Sequence, residues 1–296
     1  MTSADFPALF QAADSASKKA QGMYLRFFRS TLLLLVLGAL LGSVSLPNVG
    51  VRKLLAILSA VLLGISFVLN ATLKILSPEK IWFGARAVAE SIKSITWRYI
   101  VGGEPFSIDL EPQTADLQFV DRLRSIMQER RSLAWKYGVE PADHPQITQQ
   151  MRMYRASSTR ERLLLYVRER IVDQRSWYGT KANESQSLHM KWFWVAIMSQ
   201  AVALTSAIVM IQALNSPVNL TGAFSAVAAS ALAWLQMKNY QDLAQAYALA
   251  AHELGLIEAQ SEYIRTEAEL SSFVANSENA ISREHTMWVA RRDVRL

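Results

Sequence analysis

The chain has 296 residues, a net charge of +6 and no cysteine. That rules out a disulfide framework, cysteine-ligated zinc and a cysteine nucleophile. Hydrophobic residues make up 51% of it and the mean hydropathy is +0.12; the charge and the apolar residues are segregated, which points to membrane helices joined to charged soluble helices.

Residues 1–21 are polar and helical in character. They lack the basic-then-apolar layout of a cleaved signal peptide, so the first apolar stretch is expected to stay in the protein. No charged residue lies between Ser30 and Val51, and none between Leu54 and Leu73. Pro47, Asn48 and Gly50 mark a tight turn between the two runs. Two spans in a hairpin follow, the first over about Thr31 to Leu46 and slightly short for a full crossing. A buried hairpin of a soluble protein is the alternative, and two uninterrupted runs weigh against it.

The segment Ile100 to Ser157 reads as a linker, with Gly102, Gly103, Pro105, Pro112, Gly138, Pro141 and Pro145. Within it Ala115 to Tyr137 predicts one charged helix ending at Gly138. The stretch from Gly102 to Pro112 has room for a short strand without requiring one. Ser158 and Glu161 have the spacing of a capping box that opens the next helix.

Lys191 and Lys238 bracket a second stretch with no Asp, Glu, Lys or Arg. It is long enough to cross a bilayer twice, with the turn at Asn215 to Gly222. Apolar residues at alternating steps of three and four predict soluble helices continuing from each span. The stripes are Phe10, Ala13, Ser17, Ala20, Tyr24 and Phe27; Ala85, Val88, Ile92, Ile95 and Tyr99; Leu164, Val167, Ile171, Gln174 and Tyr178; and Tyr240, Leu243, Tyr247, Ala250, Leu254, Ile257, Ser261 and Ile264. The fold class is therefore all-α and integral to the membrane. It consists of two parallel two-span hairpin repeats with long cytoplasmic helical extensions. The expected domains are a first unit over 1–106, a linker with one helix over 107–157 and a second unit over 158–296. Basic residues flank the spans and fill the central segment. The positive-inside rule therefore puts both termini in the cytoplasm of a bacterial inner membrane, with only the hairpin tips outside. Arg52 and Lys53 dissent, and snorkelling accommodates them.

Two segments carry a resemblance. Ala89, Glu90, Ser91 and Lys93, followed by Thr96, Trp97, Arg98, Tyr99, Pro105 and Phe106, resemble the end of one class of SLATT domain (SMODS and SLOG-associating two-span effectors). Tyr166, Arg170, Ile171, Asp173, Gln174, Trp177, Tyr178, Lys181 and Ala182 resemble the opening of a second class. Two classes in tandem are similar to a fused arrangement in that family. The resemblance implies an effector of bacterial conflict systems that perforates or depolarises the membrane once a separate sensor or signalling-nucleotide system detects infection. It also implies a partner, since no sensor motif is present in this sequence.

The candidate residues carry two readings each. Gln200, Thr205 and Gln212 in the third span, with Thr221, Ser225 and Gln236 in the fourth, either line an aqueous pore or hydrogen-bond between helices. Asp173, Gln174, Trp177 and Tyr178 are a candidate gate or trigger at the cytoplasmic start of span three; the alternative is helix packing, with Trp177 at the interface. Arg152, Arg155, Arg160, Arg162, Arg168, Arg170 and Arg175 form a basic run. It reads as a solvated face that sets topology, or as a site for an anionic nucleotide or leaflet. Arg86, Glu90 and Lys93 have the spacing of an ion pair on an exposed face. Gly38 with Gly42, Gly222 with Ala226 and Ala229 with Ala233 allow close helix approach, within a hairpin or between subunits.

The four histidines have no ligand spacing, and no catalytic, nucleotide-binding or cofactor motif appears. No enzyme, no cofactor and no direct nucleic-acid contact are expected. No ionisable residue lies deep in any span, which argues against an ion-coupled transporter. Membrane lipid and further copies of the chain are the expected partners of an oligomeric, pore-forming effector in antiviral defence. A non-conducting scaffold that recruits a soluble partner through its cytoplasmic helices is the competing function.

Overall fold

The computed structural model describes residues 1–44, 46–129, 144–212 and 219–293, with the side chains of residues 3, 212 and 283–293 left out. Among the described residues there are helices and turns and no β-strand. The helices are α1 (Ala8–Gly42), α2 (Val49–Leu76), α3 (Pro78–Val101), α4 (Pro112–Glu129), α5 (Gln149–Arg155), α6 (Thr159–Tyr166), α7 (Asp173–Gln212), α8 (Leu220–Lys238), α9 (Tyr240–Gln260) and α10 (Glu267–Asp293). A π-helical segment, Val167–Val172, joins α6 to α7. Among the described residues, four helical stretches are long and apolar enough to cross a membrane: Ala8–Gly42, Val49–Leu76, Thr159–Ile211 and Leu220–Tyr263.

The chain divides into two compact units. One combines Met1–Gln21, Glu79–Thr180 and Ala246–Leu296; the other combines Gly22–Pro78 and Lys181–Gln245. The first is rich in charge and the second holds the charge-free stretches, so they are called here the charged unit and the apolar unit.

The apolar unit is built from two hairpins. Each second span opens on an asparagine cap: Asn48 Oδ1 accepts from the Gly50 and Val51 amides, and Asn219 Oδ1 from the Thr221 amide. Each also stops the same way. Ser77 and Asn239 take positive φ, 43° and 50°, and their amides reach back to the Leu73 and Leu235 carbonyls. A left-handed residue there satisfies an orphan carbonyl and turns the chain out of its helix. The third span therefore continues one unbroken helix, as the sequence predicted, whereas the fourth breaks at Asn239, where no glycine or proline announced a break. In the first hairpin Gly38 lets α2 come close: a Cβ at that position would lie 2.9 Å from the Leu63 side chain. Ser59 Oγ donates to the Gly38 carbonyl at 2.7 Å, and Ser66 Oγ to the Thr31 carbonyl at 3.2 Å. Gly38 and Gly42 thus serve packing within the hairpin. Gly222, in the other small-residue pair, has nothing within 4 Å of a Cβ.

The charged unit packs an aromatic core. Phe6, Phe10, Trp97, Tyr99, Phe106, Phe119, Tyr166 and Phe273 are buried in one cluster. Helix α4 starts with Pro112 in its first turn, where the missing N–H costs nothing. It turns Ala115, Phe119, Leu123 and Ile126 inward at steps of four, four and three. It is described as far as Glu129; the predicted end at Gly138 lies outside the described residues. The segment after α3 forms turns rather than a strand. Gly102 ends that helix with φ of 80°, and the Gly103 amide donates to the Arg98 carbonyl at 2.8 Å, a Schellman arrangement. The capping box is present, with Ser158 and Glu161 bonding each other's backbone.

The third predicted stripe is only partly right. Ile171 and Tyr178 are buried, but Leu164 is 56% exposed, and Leu163, Leu165 and Tyr166 are buried instead. The π segment is the reason. It holds more residues per turn than an α-helix, so the face that points inward shifts as the chain passes through it.

Candidate functional site

The residues of the two family-like motifs meet in the core of the charged unit. Helix α3 supplies Trp97 and Tyr99, and the end of α6 with the π segment supplies Tyr166, Arg170 and Ile171; all are nearly or wholly buried. The Trp97 and Tyr166 rings stand edge to face at 5.8 Å. Aromatic pairs of this kind add about 0.5–1.5 kcal/mol beyond the area they bury.

At the centre is a buried ion pair. Arg170 and Glu278, 1% and 0% exposed, bond through two N–H···O contacts of 2.9 Å each. The Tyr166 hydroxyl donates to the same carboxylate at 3.0 Å. Burial opposes the charge on Arg170, but the Glu278 carboxylate more than offsets it and holds the guanidinium protonated above its ordinary value. Burial, reinforced by Glu278, pushes the Tyr166 phenol well up. Lys93 is nearby on α3. Burial, with Arg170 repelling it, lowers its pKa, although Glu90 and Glu278 pull the other way. Two buried donors in this region, Arg170 Nη1 and Trp97 Nε1, make no hydrogen bond.

A surface ladder continues from Lys93's own helix. Arg86 pairs with Glu90 at 2.6 Å and lies 3.6 Å from Asp14, which also pairs with Lys18 at 2.6 Å. The expected Arg86–Glu90 pair is therefore present but half-buried, and Lys93 belongs to the interior cluster instead of an exposed face.

The basic run is not one solvated face. Arg155, Arg162 and Arg170 are buried. Arg155 donates to the carbonyls of Tyr99, Phe106 and Ser107 at 2.6, 2.9 and 2.7 Å. Arg162 donates to the Val101 and Ser157 carbonyls and pairs with Glu267. These two guanidiniums satisfy the carbonyls that the turn after α3 leaves open, a task with five fixed donors per side chain. Arg152 pairs with Asp116 at 2.7 Å and Arg175 with Glu258 at 2.6 Å, both nearer the surface. Asp116 also accepts from the Tyr99 hydroxyl; burial, then that contact, raises the Tyr99 pKa. Sequence reasoning missed Glu278 and Glu267 altogether. The available signal was three arginines at positions a buried helix face would occupy.

The gate candidates separate. Asp173 is exposed and Gln174 half-buried, and neither joins the Arg170 cluster. Trp177 and Tyr178 pack with Tyr247 of α9, at ring distances of 5.5 and 5.7 Å. In the apolar unit Gln200, Thr205, Ser225 and Gln236 are exposed and Thr221 half-buried. Thr205 Oγ1 returns to the Ala201 carbonyl at 2.9 Å; Thr221 Oγ1 is enclosed without a partner. The Gln212 side chain lies outside the described residues. On α8 the exposed positions Gly222, Ser225, Ala229, Leu232 and Gln236 recur at alternating steps of three and four, one continuous stripe. Trp234 packs against Phe28 and Trp192 at 6.2 and 5.8 Å. The Arg29 guanidinium and the Lys238 ammonium lie 5.1 and 5.5 Å from its ring, a cation–π arrangement on both.

Two family models match the chain. SMODS and SLOG-associating 2TM effector domain 3 matches residues 7–163, and SMODS and SLOG-associating 2TM effector domain 1 matches residues 166–288. Comparison with curated proteins and with solved structures found no match.

Proposed function

Because the chain belongs to the SMODS and SLOG-associating 2TM effector family, with two of its domains in tandem, we propose that it is an oligomeric effector that opens the membrane of an infected bacterial cell. The trigger is a separate sensor or signalling-nucleotide system. The chain resides in the inner membrane with both termini and the charged unit in the cytoplasm, as its distribution of basic residues favours.

One observation supports this reading most. Four of the five positions in the outward stripe of α8 are small or polar, Gly222, Ser225, Ala229 and Gln236, with Leu232 the fifth, whereas the outward face of α2 carries Leu54, Ile57, Val61, Phe67 and Val68. Hydrocarbon suits the second face and not the first. The α8 stripe is suited to water or to another helix, and copies of this chain arranged around a path would supply both. Nothing in the sequence carries a catalytic arrangement, and the proposal assigns the protein no enzymatic step.

The full chain reconstituted in liposomes is expected to pass ions, with dye release as a second readout for wide openings. Gln236→Leu is expected to lower the flux. An inserted, oligomeric protein that passes no ions would leave a trigger-dependent effector or the scaffold function, and would send the search to the missing partner.

A further inference from the structure

Two helices of the charged unit leave an open groove between them, about 370 Å³ in volume, between the start of α7 and α9. Gly179 and Gly255 line it together with Val172, Ser176 and His252. A Cβ on Gly179 would meet nothing within 4 Å, and one on Gly255 would lie 3.5 Å from Arg175. The two glycines thus leave room in the groove, whose lining also includes the Arg175–Glu258 ion pair at 2.6 Å.

Beside it α9 raises a ridge. Leu249 and Leu256, with Tyr263 in the 3-10 turn Ser261–Tyr263 that follows the helix, recur every seven residues and are 53%, 69% and 77% exposed, with exposed His252 and Ala259 at the intervening seam positions. The core stripe of α9 includes Ala250 and Leu254. At about 100° per residue these lie roughly 100–140° around the helix from Leu249, so the ridge is a second seam and not the edge of the core. A seven-residue apolar repeat is the pattern by which one helix packs on another.

The two walls also differ in charge. The α5–α7 side carries seven arginines against three acidic residues over 149–180, of which Arg152, Arg160, Arg168 and Arg175 are exposed, Arg175 already pairing across the groove with Glu258 at 2.6 Å. The α9–α10 side carries seven acidic residues against one basic residue over 240–282, with Glu253, Glu262 and Glu269 exposed.

We propose that this face pairs two copies of the chain about a two-fold axis parallel to α7 and α9. Such a rotation exchanges the walls. Each ridge enters the other copy's groove, and the arginine side of one copy faces the glutamate side of its partner. A two-fold interface must be self-complementary in this way, and opposite charges across it select the register. The inference rests on the oligomeric reading of the effector and names the surface it uses.

The test uses the full chain in detergent. Since the protein has no cysteine, single cysteines are clean probes. Copies carrying Gly179→Cys, co-expressed with differently tagged copies carrying Leu256→Cys, are expected to form a disulfide between the two tags. Leu256→Glu in the otherwise unchanged chain is expected to lower the particle mass about two-fold, and, placed in the Gly179→Cys copy, to weaken that cross-link. Leu117→Glu, at a 68% exposed position on α4, is expected to change neither. No mixed disulfide, or a mass unchanged by Leu256→Glu, would overturn the pairing. So would a monomeric chain whose Leu256→Glu form instead loses a different, co-purifying protein. Copies that separate on Leu256→Glu while ion flux persists would uphold this interface and remove pairing from the effector reading. Flux that is absent throughout while the mixed disulfide forms would keep the interface and leave the leak to the missing trigger.

Discussion

The charged unit and the apolar unit handle polar groups in opposite ways. In the charged unit, interior carbonyls and carboxylates are met by long guanidiniums: Arg155 on Tyr99, Phe106 and Ser107, Arg162 on Val101, Arg170 on Glu278. In the apolar unit the same need is met by hydroxyls one bond from the backbone, Ser59 on Gly38 and Ser66 on Thr31. Glycine divides likewise. Gly102 is required for its left-handed backbone, with φ of 80°, whereas Gly38 is required for the 2.9 Å approach that a Cβ would block. Ion pairs that tolerate burial in a water-bordered core cost far more inside hydrocarbon, so the apolar unit brings backbones together instead.

Four predictions break or sharpen that contrast. The largest effect is expected from Glu278→Ala, which leaves Arg170 buried and unpaired and should cost the charged unit about 3–5 kcal/mol. The double variant Arg170→Met with Glu278→Leu should recover most of it. Denaturant unfolding followed by tryptophan fluorescence checks both, and a double variant no better than the single one would show that more than charge is lost. Next comes Gly38→Ala, expected to cost about 1–3 kcal/mol by overpacking against Leu63, while Gly64→Ala, with nothing within 4 Å of a Cβ, should cost nothing. Unfolding of the full chain in mixed micelles compares them. Ser59→Ala should lose about 0.6 kcal/mol, the average for a hydrogen bond between membrane helices, in the same assay.

The smallest effect is a titration. The Ser158 hydroxyl and amide hold the Glu161 carboxyl below its ordinary value of 4.5. Its folded pKa is depressed, so its contribution is complete above pH 4.5 and fades as pH falls through the folded value. Ser158→Ala should return Glu161 towards 4.5, as read by carbon-detected NMR, and an unmoved titration would disprove the reciprocal cap.

The hairpins were legible because a charge-free run of such length has few alternatives, and the capping box because its geometry is local. Gly38 and Gly42 announced a close approach but not its partner, which depends on Ser59 and Leu63 arriving from the next helix. The buried arginines were illegible for a stronger reason. Charge predicts exposure unless counter-groups are known, and Glu278 follows Arg170 by 108 positions, while the carbonyls that hold Arg155 exist only once the turn after α3 has formed. Asn239 in a left-handed conformation was equally hidden, since its helix could have continued on local propensity, whereas Pro78 marks the end at Ser77. For the pore and gate candidates, the structure gives positions and neighbours; their roles rest on the proposal above.

The π segment Val167–Val172 sets the phase of everything that follows it in the helix. An α-helix advances about 1.5 Å and turns about 100° per residue, so a residue passed from the wide turn into the helix is a screw motion of that size. Chains lacking one residue between Val167 and Val172 are expected to regain an uninterrupted α-helix. Their downstream faces would stay nearly where they are, because a π turn is an α turn holding one extra residue and the deletion removes that residue. The screw arises instead, without changing the sequence, if the wide turn tightens, which makes this short stretch a place where a small local rearrangement has a defined pitch and hand.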